Sequence, residues 1–216
     1  MTPLRIRYQT LEFGCADIHL RTLRDLQQFG EDPGAAGRLG VPLASWPLFG
    51  VVWESSEVLA HLMSGYDIAG KRILEVGCGI GLASLVLNSR QADVTATDYH
   101  PEAEHFLAEN VRLNGGPAIP FVRTGWGDPL TDMGRFDLIV GSDLLYDPDS
   151  VELLSAFIDQ HAAHPCEVLI VDPDRSWQTQ FSQRMEQLGY TSSYSKPDNT
   201  DYLLNPFRGR ILRYCR

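Results

Sequence analysis

The stretch that decides the fold is ILEVGCGIGLAS, residues 73–84. An apolar strand pattern ends at Val76, three glycines follow at 77, 79 and 81, and a helical pattern opens behind them. A strand–glycine turn–helix unit brings backbone N–H groups of a helix N-terminus close to whatever lies outside the strand end. Working outward, KRILEV (71–76), ADVTATD (92–98), AIPFVRT (118–124), FDLIVGSD (136–143) and EVLIVD (167–172) read as strands. GLASLVLNSR (81–90), PEAEHFLAENVRLN (101–114) and segments near 148–163 and 176–189 read as helices; Ala103, Phe106, Leu107 and Val111 fall at helical spacing. Strands alternating with helices of this length predict an α/β, Rossmann-like, mostly parallel sheet of seven strands with helices on both faces.

The two ends differ from this middle. GYTSSYSK (189–196) and RGRILRYCR (208–216) read as an antiparallel C-terminal hairpin, with Arg208, Arg210, Arg213 and Arg216 protecting an edge strand. IHLRTLRDLQQF (18–29) is expected to be an amphipathic helix through Leu20, Leu23, Leu26 and Phe29, and GEDPGAAGRLGVPLASWP (30–47) is turn-rich. Residues 1–54 are thus expected to form an N-terminal extension packed over the functional edge of a single domain spanning 55–216. SSEVLAHLM (55–63) reads as its first helix, with Ser55 or Ser56 as N-cap.

Composition narrows the function classes. The 216 residues, 44% hydrophobic, suit one α/β domain. Eighteen Lys and Arg against 28 Asp and Glu give a net charge of −10, which repels a phosphate backbone and argues against general nucleic-acid binding. The four cysteines, at 15, 78, 166 and 215, form no paired motif, and His161 and His164, read as sharing a solvated helix end, have no partner at ligand spacing, so no metal site is expected. The longest apolar run, GVPLASWPLFGVVW (40–53), is too short and proline-broken to span a bilayer. A cytoplasmic protein with reduced thiols is the expectation.

What the glycine turn holds follows from its neighbours. A dinucleotide fingerprint wants its third glycine where Leu82 stands, and a P-loop wants a Gly-Lys-Ser/Thr ending that is absent. Glu75, two positions before Gly77, opposes a pyrophosphate but suits a cation. S-adenosyl-L-methionine carries a sulfonium and an ammonium, and no phosphate. Asp98 ends the next strand, placed to accept the hydroxyls of a ribose. In TGWGDP (124–129), Trp126 offers a flat ring to cover an adenine and Asp128 a carboxylate for its exocyclic amine; a core role for Trp126 is the competing reading.

The glycine motif together with GVVWESSEVLA (50–60), TGWGDP and GSDLLYD (141–147) resembles class I, seven-stranded S-adenosylmethionine-dependent methyltransferases, and within them family 16, rich in protein-lysine methyltransferases. The resemblance covers residues 50 to about 190. It implies a cofactor shell of Trp53, Glu75, Gly77, Cys78, Gly79, Gly81, Asp98, Tyr99, Trp126 and Asp128. Asp143 and Tyr146 resemble the family's D-x-x-Y motif, which positions the acceptor in lysine-modifying members; a capping role for Asp143 is the alternative. VDPDR (171–175) adds Asp172 and Arg175 at the same edge, as acceptor contacts or as a surface turn. The family's common WPSA-like form is replaced here by WESS (53–56). The expected activity is N-methylation of a protein side chain, lysine favoured. A small-molecule amine acceptor is the alternative, ahead of a non-catalytic binding domain or an NAD-dependent oxidoreductase.

Overall fold

In the computed structural model, residues 4–14, 16–25, 28, 48–128 and 132–216 are described. Their strands are β1 (Ile6–Phe13), β2 (Ala16–Leu23), β3 (Arg72–Val76), β4 (Asp93–Asp98), β5 (Phe121–Arg123), β6 (Phe136–Ser142), β7 (Ala162–Asp172), β8 (Thr191–Ser195) and β9 (Arg210–Cys215). Their helices are α1 (Glu54–Gly65), α2 (Leu82–Ser89), α3 (Ala103–Asn114), α4 (Pro148–His161) and α5 (Gln178–Gln187).

β3 to β9 form one sheet in the order β5-β4-β3-β6-β7-β9-β8, parallel except for β9. Leu74, Val76, Ile139 and Ile170 point to the face covered by Leu154, Phe157 and Ile158 of α4 and Phe181 and Met185 of α5. Ile73, Leu138, Val140 and Leu169 point to the face covered by α1, α2 and α3. Both faces of the central strands are therefore apolar, the pattern of a parallel sheet buried on two sides. Connections from β3 run outward through β4 to β5, whereas β6 starts on the other side of β3. The strand order reverses between β3 and β6, and the carboxyl ends of strands at such a switch are where open α/β sheets form their ligand crevice.

The N-terminal segment departs from expectation. Residues 16–23 are a strand, paired antiparallel with β1, not part of a helix. Ile18, Leu20 and Thr22 are buried at alternate positions, so the period is two and the apparent helical spacing of Leu20 and Leu23 is coincidental. Leu26, Phe29 and the turn-rich stretch 30–47 lie outside the described residues. The β1–β2 hairpin lies on the helical layer, where α3 supplies hydrogen bonds to its inner strand, β2: Arg21 N donates to Asn110 Oδ1 (2.6 Å), His19 N to Asn114 Oδ1 (2.8 Å), and Asn114 Nδ2 to His19 O (2.7 Å). Asn110, fully buried, also donates to Ile80 O in the glycine loop, which ties the hairpin to the site. From Leu23 the hairpin is fastened to Gly50 O (2.7 Å), and Phe49 stacks on His100 with centroids 4.0 Å apart.

At the other end, β9 is not an edge strand. It is inserted between β7 and β8, so its arginines do not guard an edge: Arg213 pairs with Glu167, Arg216 with Asp159, and Arg210 lies over the Tyr194 ring. Nor do the two histidines share a solvated face. His161 ends α4 buried, with Nδ1 3.1 Å from Gly134 O, and His164 lies in β7. Among the described residues no helix is long and apolar enough to cross a membrane, and no group of three or more His, Cys, Asp or Glu is placed to hold a metal ion.

Candidate functional site

The glycine turn follows β3 at the strand-order switch. Gly77, Gly79 and Gly81 all have positive φ. A side chain at Gly79 would meet no protein atom within 4 Å, so the turn opens into free space, whereas a Cβ at Gly81 would fall 2.4 Å from Leu107. At Gly81 the helix α2 begins without a side-chain cap. Its missing acceptor comes from Glu75: the buried carboxylate takes the Ser84 backbone N–H (2.8 Å) and also the Ser84 hydroxyl. An anion at this helix start satisfies an orphan donor and complements the helix dipole.

Burial pushes the Glu75 carboxyl up to about 7; the bonds from Ser84 oppose this and Asp98 adds to it. Ionising Glu75 therefore works against folding: its contribution is fully present below the ordinary value of 4.5 and is lost as pH rises through about 7. A bound cation reverses that balance by favouring the carboxylate. S-adenosylmethionine affinity is expected to tighten on the order of five- to tenfold from pH 6 to pH 7.5 by this linkage. Calorimetry on the wild type and Glu75→Gln checks it: a wild-type slope as flat as the variant's removes Glu75 from the cation's surroundings.

Asp98, at the end of β4, accepts the Gly79 N–H and the His100 N–H, each at 2.7 Å. It therefore shapes the turn while carrying oxygens with further lone pairs. Burial raises its pKa, against the backbone donors that lower it. Cys78 sits below the turn, buried, its N–H bonded to Thr97 O (2.9 Å), and its thiol is pushed well up by burial and by the neighbouring carboxylates. Tyr99 is half-buried, and its carbonyl accepts from Arg123 Nε (3.2 Å).

Past β5, Asp128 closes its own turn by accepting the Gly125 N–H (2.6 Å), leaving Trp126 at the bend. Trp126 is half-buried against the α4 face of the core, and its ring lies 3.9 Å from where a Cβ on Gly77 would be. The tryptophan thus packs against the core and also reaches the glycine turn. Trp53 marks the start of α1, where Ser56 Oγ accepts the Trp53 N–H (3.2 Å) and donates to Trp53 O (2.7 Å). The boundary residue is thus Trp53, not Ser55 or Ser56. Its indole N–H donates to Leu48 O (3.1 Å).

Asp143 and Tyr146 follow β6 on the other side of the crevice. The Tyr146 ring stacks toward Trp126, centroids 6.4 Å apart and planes 15° from parallel. Desolvation first, then the charges of Asp98 and Asp143, hold the Tyr146 phenol above its ordinary pKa, so it stays protonated. Asp143 does not cap a helix. The cap of α4 is Asp147, whose Oδ1 accepts the Ser150 N–H and hydroxyl, both at 2.8 Å. Asp143 instead pairs with the Arg175 guanidinium, which also lies 5.6 Å from the Tyr146 ring centroid. Asp172, fully buried at the end of β7, accepts the Arg175 N–H (2.7 Å) and Gln178 Nε2 (2.6 Å). The sequence places Asp172 and Arg175 at this edge; the pairing of Arg175 with Asp143 depends on strand register, and Ser84 and Asp147 are site residues that motif spacing alone does not single out.

The residues present fit S-adenosylmethionine, a cation without phosphates: the carboxylates of Glu75 and Asp98 flank a glycine turn that is open at Gly79. A family described as lysine methyltransferases matches residues 48–188. The chain is 27% identical over 202 residues to the zebrafish (Danio rerio) protein N-lysine methyltransferase METTL21A, covering 87% of this chain and 85% of that one. It is 30% identical over 160 residues to the rat (Rattus norvegicus) electron transfer flavoprotein beta subunit lysine methyltransferase, covering 71% and 61%. In fold it is similar to magnesium protoporphyrin IX methyltransferase from Synechocystis, solved with S-adenosylmethionine bound, at TM-score 0.57 and 17% identity over 75% of this chain and 77% of that one.

Proposed function

The chain belongs to the lysine methyltransferase family and is an S-adenosylmethionine-dependent methyltransferase, and from that premise we propose that its acceptor is the side-chain amine of a lysine in a protein. The observation that supports this reading most is that Tyr146 stacks toward Trp126, whose ring reaches the glycine turn, with Asp143 at the same end of β6 beside the β3–β6 switch. In this reading Trp53, Glu75, Gly77, Cys78, Gly79, Gly81, Asp98, Tyr99, Trp126 and Asp128 hold the cofactor. Asp98 accepts the ribose hydroxyls, Trp126 covers the adenine and Asp128 receives its amine.

The cofactor supplies a methyl group already activated by its sulfonium. What remains for the protein is to orient an unprotonated amine in line with it and to exclude water. Asp143 accepts a hydrogen bond from that amine, which turns its lone pair away from the carboxylate, and Tyr146 walls the opening with its ring. Residues 1–54 act as an extension ahead of the methyltransferase domain, 55–216, and contribute acceptor contacts at the functional edge. The net charge of −10 favours a basic protein segment as partner over nucleic acid, and four cysteines without a paired motif favour the cytoplasm as compartment.

The test uses methyl-tritiated S-adenosylmethionine with extract of cells lacking the protein. Label in a discrete protein band that hydrolyses to methyl-lysine is the expected result, lost with Asp98→Ala. Label confined to small molecules would move the acceptor to a free amine, and binding of NAD in preference to S-adenosylhomocysteine would overturn the cofactor.

A further inference from the structure

We propose that Arg175 is a positioning residue of the acceptor seat: by neutralising Asp143 it stops that carboxylate from trapping the incoming amine as an ammonium ion. The inference rests on the proposed amine acceptor and deepens it.

The arrangement is built rather than incidental. Three non-glycine residues have positive φ among the described residues, and two of them, Asp143 (φ 56°) and Asp174 (φ 77°), lie at the adjacent ends of β6 and β7 that carry this pair. Asp is one of the few L-residues that tolerates this region, and its use at both strand ends gives each a tight turn. The β6–β7 register, Ser142 beside Val171, and the bond from Asp143 N to Val171 O (2.9 Å) set the two turns side by side. Asp172 then fixes the Arg175 backbone from below, and one of its own oxygens, Oδ2, is buried with no hydrogen-bond partner.

Only Asp143 Oδ1 meets the guanidinium, through Nε; among the described residues Oδ2 makes no hydrogen bond. The seat therefore offers one free carboxylate oxygen whose charge is already balanced. Without Arg175, a bare Asp143 beside an arriving lysine would form an ion pair that raises the amine's pKa and removes its lone pair from reach. With Arg175 present, the ammonium gains little by binding charged. Its proton leaves to solvent, the nitrogen lone pair bonds the methyl carbon, the C–S electron pair stays on sulfur, and the product is a methylated ammonium with neutral S-adenosylhomocysteine.

The other charged and titratable groups facing the seat are Tyr146 and Asp147 after β6, Asp172 and Asp174 after β7, and Asp98 after β4, with Tyr214 of β9 acting on Asp172. All but the tyrosines are acids, so Arg175 is the one cation among these groups that opposes ammonium capture. The tyrosines remain neutral through the physiological range.

Two readouts test this on the full chain saturated with S-adenosylhomocysteine or S-adenosylmethionine. First, calorimetry with n-butylamine, protonated at pH 7: Arg175→Ala is expected to bind it at least about tenfold tighter than the wild type, and Arg175→Lys to match the wild type. Second, label incorporation into the acceptor band from pH 6 to 10. Arg175→Ala should lose roughly 10- to 1,000-fold at pH 7 and recover toward pH 10, with half-saturation at lower extract concentration, and Arg175→Lys should retain most of the rate. Equal butylammonium affinity in all three proteins, or a loss parallel at every pH, overturns the inference and leaves Arg175 a structural contact. No labelled band from the wild type, alongside tighter butylammonium binding by Arg175→Ala, overturns the protein acceptor and keeps the role of Arg175.

Discussion

Asp143→Asn is expected to lower turnover by roughly 100-fold while S-adenosylmethionine affinity stays within about twofold of the wild type. Asparagine is the informative replacement because it tolerates the left-handed backbone that Asp143 adopts (φ 56°), so the change removes charge without refolding the turn. It leaves the Arg175 guanidinium, 36% exposed, to solvent in place of a carboxylate. An amine arriving there meets a guanidinium that has lost its paired carboxylate and an amide oxygen, a weaker acceptor than a carboxylate. Single-turnover rates with saturating cofactor, set against calorimetric affinities, separate the two quantities. A variant as active as the wild type would reduce the pair with Arg175 to a fastening of two turns.

Asp98→Ala acts on the other half of the site. Its carboxylate accepts two backbone N–H groups, Gly79 and His100, besides the ribose hydroxyls proposed for it. Cofactor affinity is expected to fall by about 1–3 kcal/mol, with a comparable loss of folding stability because two donors lose their acceptor. Calorimetry reports the first and thermal unfolding of the free protein the second. Unchanged affinity in a folded variant would place the ribose elsewhere.

Much of this arrangement is legible in the sequence because it is local. The strand–turn–helix unit at 73–84, the acid closing the next strand and the apolar runs of β6 and β7 carry their signals within a few residues. Where the reading failed, the deciding interaction was remote or the period was misjudged. Leu20 and Leu23 sit at a helical interval, yet Ile18, Leu20 and Thr22 alternate with His19 and Arg21, and that alternation is the strand signal. Asp143 and Asp147 are both candidate caps by type; Pro148 behind Asp147 is the first-turn residue that decides between them.

Two antiparallel strands at the C-terminal end do not disclose which of them lies inside. Ile211 and Leu212 decide it, because they face Val171 and Ile170 of β7, while Thr191–Ser195 offers no apolar face to that neighbour. Arg175 and Asp143 are 32 residues apart, and only the β6–β7 register brings them together.

The insertion of β9 between β7 and β8 bears on how the chain emerges during synthesis. As translation proceeds, β3 to β7 can close around their helices in order, but β8 leaves the ribosome ahead of its only sheet neighbour, among the described residues, and must wait for β9. A hydrophobic strand left waiting would recruit strands from neighbouring nascent chains. β8 is instead Thr-Ser-Ser-Tyr-Ser, exposed along its whole length. Its polarity thus serves the interval before the sheet is complete, when a sticky edge would turn each polysome into a site of aggregation.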